Sequence, residues 1–361
     1  MQDNQKLAYK LIGLMSGTSL DGLDICLVAF YWKDEKWSFD LQKTEAIAYS
    51  ETMLAQLKQS HLLSGLDLYK LDKQIGTFYA EAVNQFVDKN KIDRTTIDAI
   101  ASHGQTVFHQ PEIGLTVQIG CGQTLHVETG LPVINDFRKH DVLHGGQGAP
   151  LVPIGDLHLF SAFADTFLNI GGFANISKID GDHVTAFDVC PANICINHYT
   201  RQLGSEFDKD GAIARCSKFN QELFDQLNNL KLYQENQPAS LGLEWVEKEI
   251  FPLVDSLEVS LEVKISTATE HAAYQIARRL NKLSTEKVYV TGGGAKNSYL
   301  MERVQHYLNG KVVLPSYEII DFKEALIFAF LGALNLADQP NCLPSVTGAR
   351  KAVIGGVRIG F

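Results

Sequence analysis

Apolar positions along the chain recur with two different periods. Lys10 to Met15 and Asp24 to Tyr31 are dense apolar runs, and Ser16-Gly17-Thr18-Ser19-Leu20-Asp21-Gly22 between them is a turn, which predicts a strand hairpin. Trp37 to Ala48 adds a possible third strand. From Asp67 to Asn90 the spacing becomes helical, with Leu68, Leu71, Ile75, Phe78, Ala82 and Phe86 on one face. Ile97 to Ala101 and Leu131 to Asn135 are short apolar runs that predict buried strands. They end at Ser102-His103-Gly104-Gln105-Thr106 and at Asp136-Phe137-Arg138, and chemistry collects at such strand ends in open α/β sheets.

The second half repeats the opening. Thr166 to Ile170 predicts a strand, Gly171-Gly172 a turn, and Ala174 to Ile179 a returning strand, so a Gly-rich turn again separates two short strands. This reads as an internal duplication of a β-hairpin unit. Val184 to Phe187 and Lys287 to Val290 predict further strands, the latter followed by Gly292-Gly293-Gly294 and a helix over Lys296 to Leu308. Helices are also expected over Ser266 to Leu280 and Asp321 to Leu336. Alternating strands and helices argue for an α/β fold. Gly145-Gly146-Gln147-Gly148-Ala149-Pro150 is a Gly-rich loop, a candidate hinge or substrate loop.

Composition narrows the function classes. The 361 residues are 45% hydrophobic and 20% charged, enough for a sizeable core, and the length favours two domains. A net charge of -10 with no long basic run argues against nucleic acid and anionic membranes as partners. The six cysteines form no CxxC pair, and several lie in apolar runs, so buried reduced thiols are expected. Met1 to Lys6 is polar and lacks the layout of a signal peptide, and no apolar run approaches the ~20 residues of a membrane span. The expected compartment is the cytoplasm.

Three Gly-rich turns, Gly17 to Gly22, Gly171-Gly172 and Gly292 to Gly294, each adjoin a predicted strand. Glycine lets the backbone approach a phosphate, and successive N–H groups in such a turn form an anion-binding nest. Each alone reads as an ordinary turn; their combination and order shift the balance toward phosphate binding. No GxxxxGK[ST] or GxGxxG is present, which disfavours Walker-type and dinucleotide sites. Thr18 and Ser19 offer hydroxyls, and Asp21 and Asp24 offer carboxylates, a group that can hold magnesium directly or through water. Asp188, after the Val184 to Phe187 strand, reads as a general base, as an N-cap of the following helix, or as both; without further context the cap is the better reading. Asp208-Lys209-Asp210-Gly211 reads as a solvated turn. His103 reads as a hydrogen-bonding pocket residue rather than a metal ligand. Val133 to Pro150, with Asp136, Arg138 and Gly148, reads as an ordinary surface loop or as a site for a hydroxylated ligand with a carboxylate, which Arg138 could pair bidentately.

These residues, taken together, resemble the anhydro-N-acetylmuramic acid kinase family. The matching segments are Leu14 to Asp24, Ser102 to Thr106, Asp136 to Arg138, Gly145 to Leu151, Asn169 to Gly172, Asp208 to Gly211, Gly292 to Asn297 and Leu343 to Ala349, collinear over nearly the whole chain. The resemblance implies a two-domain actin/hexokinase-like (ribonuclease H-like) fold with duplicated hairpin units and ATP in a central cleft. Its boundaries would be 1–137 with 343–361 for the first domain and 138–342 for the second. It implies Gly17, Thr18, Ser19, Leu20, Asp21, Gly22, Leu23 and Asp24 as the first phosphate hairpin, Gly171 and Gly172 as the second, and Gly292, Gly293 and Gly294 on the adenosine side. Asp188 would be the base, Asp136, Arg138 and Gly148 substrate contacts, and Asp21 and Asp24 water-mediated holders of Mg²⁺. The family hydrolytically opens 1,6-anhydro-N-acetylmuramic acid while phosphorylating O6, an activity of cell-wall recycling, and suggests a homodimer.

Two segments depart from the family pattern. Phe187-Asp188-Val189-Cys190-Pro191-Ala192-Asn193 stands where the family has F-D-T-G-P-[GA]-N, and Ser240-Leu241-Gly242-Leu243-Glu244 where it has S-T-G-[RK]-E. These changes leave room for a kinase of the same fold acting on another sugar, or for a muropeptide-binding sensor without turnover.

Overall fold

The computed structural model describes residues 6–17, 20–181, 183–234 and 241–361. It divides the chain into two units: one runs to Phe160 and resumes over Phe322–Phe361, and the other is Ser161–Asp321. Residues 138–160 and 322–342, expected in the second domain, pack with the first unit. Their side chains explain why. Arg138 bonds to His103, Asp141 bonds to Thr347, and the helix Tyr317–Leu336 runs its apolar stretch from Ala325 to Leu334 along the first sheet.

The first unit is built on strands β1 (Lys6–Ser16), β2 (Leu23–Lys33), β3 (Lys36–Ile47), β4 (Ala99–Ser102), a separate hairpin β5 (Gln105–Gln110) and β6 (Leu115–Ile119), and β7 (Val133–Asn135). The second has β8 (Thr166–Ile170), β9 (Phe173–Asp180), β10 (His183–Pro191), β11 (Lys287–Thr291) and β12 (Lys311–Val313). The C-terminal strand β13 (Val357–Ile359) returns to the first sheet.

The sheet orders are β13-β7-β4-β1-β2-β3 and β10-β9-β8-β11-β12. Numbered within its own unit, leaving out β13 and the separate hairpin, each sheet reads 3-2-1-4-5. In both, the first three strands form an antiparallel meander, and the fourth and fifth run parallel to the first. That is ribonuclease H-like topology present twice, the actin/hexokinase-like class. The duplication expected from two Gly-turn hairpins therefore extends to five strands.

Each sheet is covered according to its pleat. In β1, Ile12 and Leu14 face a core shared with Leu71, Ile75, Tyr79, Val83 and Phe86 of the helix Gly65–Lys89. Gly13 faces the other way, and a Cβ there would lie 2.1 Å from the Ala325 carbonyl oxygen, so the helix Tyr317–Leu336 rests directly on the strand. In the second unit, Leu168, Ile170, Ala174, Ile176 and Phe187 share a core with Ala272, Ala273 and Ile276 of the helix Leu261–Lys282. Burying each large apolar side chain of these cores contributes about 1.5–3 kcal/mol.

Four cysteines, Cys26, Cys190, Cys195 and Cys342, are buried and free as expected; Cys121 is half-buried and Cys216 exposed, against that expectation. Both lie at helix ends, where the apolar pattern of the core stops. Among the described residues, no helix is long and apolar enough to cross a membrane.

Candidate functional site

In the first unit the conspicuous polar groups stand at the ends of β1, β4 and β7, which run side by side. Ser16 closes β1, and its hydroxyl donates to Gln105 Oε1 while it contacts the Tyr49 hydroxyl. The one Ser16 proton is spent on Gln105, so Tyr49 is the donor of the second bond. His103 follows β4. Its backbone N–H donates to the Leu14 carbonyl, and its Nδ1 lies 3.2 Å from the Ser16 carbonyl oxygen. Arg138 follows β7; its Nε donates to His103 Nε2 at 2.9 Å and its Nη1 to the Gly148 carbonyl at 2.7 Å.

These bonds fix the state of His103. An arginine Nε is always a donor, so His103 Nε2 is bare and the ring proton sits on Nδ1, donated to Ser16. Burial, with the Arg138 charge beside it, pushes the ring down from 6.5 to about 3. The expected pocket histidine is thus a neutral acceptor that orients an arginine. Burial also pulls the Arg138 guanidinium down, against Glu324, which holds it up.

Gly148 is held from its other side as well. Its N–H donates to Asp141 Oδ2 at 2.8 Å, the Gln147 N–H donates to the Thr347 carbonyl at 2.7 Å, and the Thr347 hydroxyl donates to Asp141 Oδ1 at 2.8 Å. Asp141 is fully buried beneath the loop, and a Cβ on Gly146 would lie 2.1 Å from its carboxylate. The Gly145–Pro150 segment is therefore pinned to its own unit, which removes the hinge reading. Asp136 is half-buried with φ 63, a left-handed backbone that Asp tolerates, and burial raises its carboxyl against the lowering of Lys139 at 3.6 Å.

Of the first phosphate hairpin, Thr18 and Ser19 lie outside the described residues. The Leu20 N–H is spent on the Gly17 carbonyl at 3.1 Å, and Leu23 is buried in the core opposite Ser16. Asp21 is exposed, and Asp24 is half-buried on β2 opposite Met15. A Cβ on Gly22 would lie 2.4 Å from the Ile47 carbonyl oxygen, so glycine there allows the turn to close on β3.

In the second unit the structure brings the other glycine turns together. Thr291 pairs with Asn169, so Gly171-Gly172 and Gly292–Gly294 follow adjacent parallel strands. Gly292 has φ 84, and a Cβ there would lie 2.6 Å from Asn169 Oδ1 and 2.7 Å from the Ile170 carbonyl oxygen. At Gly293 a Cβ would meet no atom within 4 Å. The Gly172 carbonyl accepts the N–H groups of Ala192 and Ile194, which seats the start of the helix Asn193–Gln202 on the turn.

Asp188 lies inside β10, opposite Asn175 of β9, where the sequence pattern had placed it after a shorter strand. It does not cap the following helix. That helix starts after Ala192 with no side-chain cap, and Asp188 Oδ2 instead accepts the Leu241 N–H at 2.8 Å. Burial raises the Asp188 carboxyl above its ordinary range, with the Leu241 bond opposing. The two residues that depart from the family pattern, Val189 and Cys190, are both buried in the core, where a bulge between Asp188 and Cys190 turns them. The Cys190 thiol points to the Ala272 carbonyl, and burial pushes it up, away from thiolate chemistry. Leu241 acts through its backbone, so its changed side chain leaves that contact in place, and Leu243 is exposed.

Two features escaped the sequence. Asp208 is buried rather than solvated, and its carboxylate accepts the N–H groups of Ile213 and Ala214 at 2.8 and 3.0 Å. Gly211 beside it packs against Asn297 and Tyr299, which joins the Asp208–Gly211 and Gly292–Asn297 motifs. Glu324, the third residue of the first unit's share of the helix Tyr317–Leu336, is the acidic partner of Arg138. It is accessible to solvent but crowded by protein, which raises its carboxyl against Arg138 and Lys323. A lone carboxylate heading the apolar run Ala325 to Leu334 was its only signal.

Residues 9–359 match the family model described as anhydro-N-acetylmuramic acid kinase. A protein of that name from Shewanella baltica is 40% identical over 380 residues, covering 97% of this chain and 98% of its own. Proteins of the same name from Shewanella amazonensis and Shewanella pealeana are 38% and 39% identical, covering 96% and 95% of this chain and 97% of each relative. With the family model matched over residues 9–359 and these relatives covered almost end to end, the chain belongs to the anhydro-N-acetylmuramic acid kinase family.

Proposed function

We propose that this chain opens 1,6-anhydro-N-acetylmuramic acid with water and phosphorylates its O6 from ATP, giving N-acetylmuramic acid 6-phosphate in peptidoglycan recycling. The observation that carries the reading is full-length family membership at 40% identity to a relative of that name. The bond changes balance. Asp188 takes a proton from water as the water oxygen bonds to the anomeric carbon. The bond from that carbon to O6 breaks, and its electron pair stays on O6. O6 bonds to the γ-phosphorus, and the bridging oxygen leaves with ADP. A carboxylate raised by burial is the stronger base for this step.

Backbone amides of the turns at Gly17–Gly22 and Gly171-Gly172 suit the phosphates, and the turn at Gly292–Gly294 suits the adenosine side, its Gly293 presenting open backbone. Thr18 and Ser19 add hydroxyl donors. Arg138, oriented by His103 and Gly148, and Asp136 serve the sugar and its lactyl carboxylate. Mg²⁺ is usually held by one or two carboxylates together with substrate phosphates, and Asp21 and Asp24 provide that donor set directly or through water. When bound, it neutralises charge on the transferring phosphoryl group. A cytoplasmic homodimer completes the reading.

The test is direct. Incubation with Mg-ATP and the anhydrosugar is expected to yield a product heavier by one water and one phosphate, read by mass spectrometry with one ADP per product. ADP release without that product, or no turnover of the sugar, overturns the assignment.

A further inference from the structure

Across the second sheet runs a row of three polar residues. Asn169 of β8 pairs with Asn175 of β9, and Asn175 pairs with Asp188 of β10. Directly opposed residues on neighbouring strands share a face, with Cβ atoms about 4.5–5.5 Å apart. The face is fixed by the neighbours: Leu168 and Ile170, Ala174 and Ile176, and Phe187 all point into the core on the other side. All three polar residues are half-buried.

Two of the three have assigned tasks. The Asn169 amide lies against the glycine turns, with its Oδ1 where a Cβ on Gly292 would intrude and its Nδ2 toward Gly171. Asp188 has Oδ2 committed to the Leu241 N–H. Asn175, between them, has a side-chain amide with no hydrogen bond to any described residue. A half-buried amide placed beside a carboxylate in this way calls for an explanation.

We propose that Asn175 is a positioning residue for the attacking water, an inference that rests on the proposed reaction. Water has two hydrogens. Asp188 Oδ1, the oxygen not bonded to Leu241, accepts the one that is transferred. Asn175 Oδ1 accepts the other, which stays on the oxygen as it becomes the anomeric hydroxyl. With both hydrogens held, the two lone pairs are confined to the side facing away from Asp188 and Asn175, and one of them forms the new bond. Nothing is added to the balance of the step; the amide restricts the nucleophile and takes no proton. Unbroken pairing through Phe187 and Ile176 sets Asp188 opposite Asn175, and the bulge falls only after it, between Asp188 and Cys190.

The test compares wild type, Asn175→Ala and Asn175→Asp in steady-state turnover of 1,6-anhydro-N-acetylmuramic acid with Mg-ATP, alongside thermal unfolding. Asn175→Ala is expected to lose about 10–100-fold in kcat, since misplacement of a reacting group by ~1 Å costs that order. KM for ATP and the unfolding midpoint should stay close to wild type. Asn175→Asp puts a like charge beside the base and should move the acid limb of the kcat profile to higher pH. Unchanged kcat in Asn175→Ala overturns the inference. So does a kcat loss matched by a lowered midpoint with no pH displacement in Asn175→Asp, which marks a structural role. So does a rise in KM for ATP alone. A wild-type chain that makes no phosphosugar overturns the proposed reaction, and this inference with it, so the two failures are distinct.

Discussion

Arg138 Nε donates to His103 Nε2 at 2.9 Å, and that bond requires the histidine to be neutral. The guanidinium is thereby oriented by a ring whose own proton is tied to Ser16, the last residue before the first glycine turn. Replacing His103 with Phe keeps the ring volume and removes the acceptor. A hydrogen bond to a charged group is worth about 1.5–3 kcal/mol, so kcat/KM for the sugar should fall roughly 10–150-fold. ATP affinity, measured by calorimetry, should change little. A variant that retains full kcat/KM would show that Arg138 needs no such support.

How this arrangement could be read in advance varied with its physics. Both hairpins were legible because a Gly-rich turn between apolar runs is a local signal; β8 appears over Thr166–Ile170 as its pattern predicts. β10 extends beyond Phe187 to Pro191, because Asp188 interrupts the apolar pattern while backbone pairing with β9 continues. The same break made Asp188 look like a helix cap. The β5–β6 hairpin carries too many polar side chains, Gln105, Thr106, His109 and Gln110 among them, to be read as strand by alternation. Asp208 and Glu324 escaped because their surroundings come from distant segments. Asp208 looked solvated in a charged tetrapeptide, and the partner of Glu324 is Arg138, far away in sequence.

Acid should destabilise the fold through two histidines. His103 and His271 are buried, and burial pushes each from 6.5 to about 3, with the Arg138 charge adding to it at His103. Between those values the unfolded chain binds more protons than the folded one. Stability therefore rises with pH in this window, and it is lost as pH falls from about 6.5 toward 3, by up to about 1.4 kcal/mol per pH unit per ring. His271 stacks edge-on against Tyr233 at 5.0 Å, so His271→Phe preserves the packing. Thermal midpoints between pH 7 and pH 5 should fall less steeply in that variant. An equal slope would remove His271 from the account.

Asp188→Asn should keep the shape of the site, since the amide oxygen still accepts the Leu241 N–H, while removing the base. General-base loss costs about 10²–10⁴-fold, expected here in kcat with ATP binding retained. In the wild type the acid limb of kcat/KM should lie above the ordinary Asp value of 3.8, because burial raises this carboxyl. Activity in Asp188→Asn within a few-fold of wild type would assign the base elsewhere.

Asp156 and Lys323 form a buried ion pair at 2.6 Å, with the ammonium 5.4 Å from the Phe160 ring. Both side chains are almost wholly shielded from solvent, so neither can exchange its partner for water. Lys323→Met should cost about 3–5 kcal/mol at neutral pH, because the Asp156 charge remains without its counter-ion. Burial already raises the Asp156 carboxyl, and Lys323 is what holds it down. Without the lysine, the folded state takes up a proton at a higher pH than the unfolded chain does. The penalty in Lys323→Met should therefore shrink as pH falls through that raised value. The double variant Asp156→Leu/Lys323→Met buries no charge and should recover most of the loss. Chemical denaturation of wild type, Asp156→Leu, Lys323→Met and the double variant at two pH values tests both claims. A double variant no more stable than Lys323→Met would mean that shape, not charge, dominates this contact.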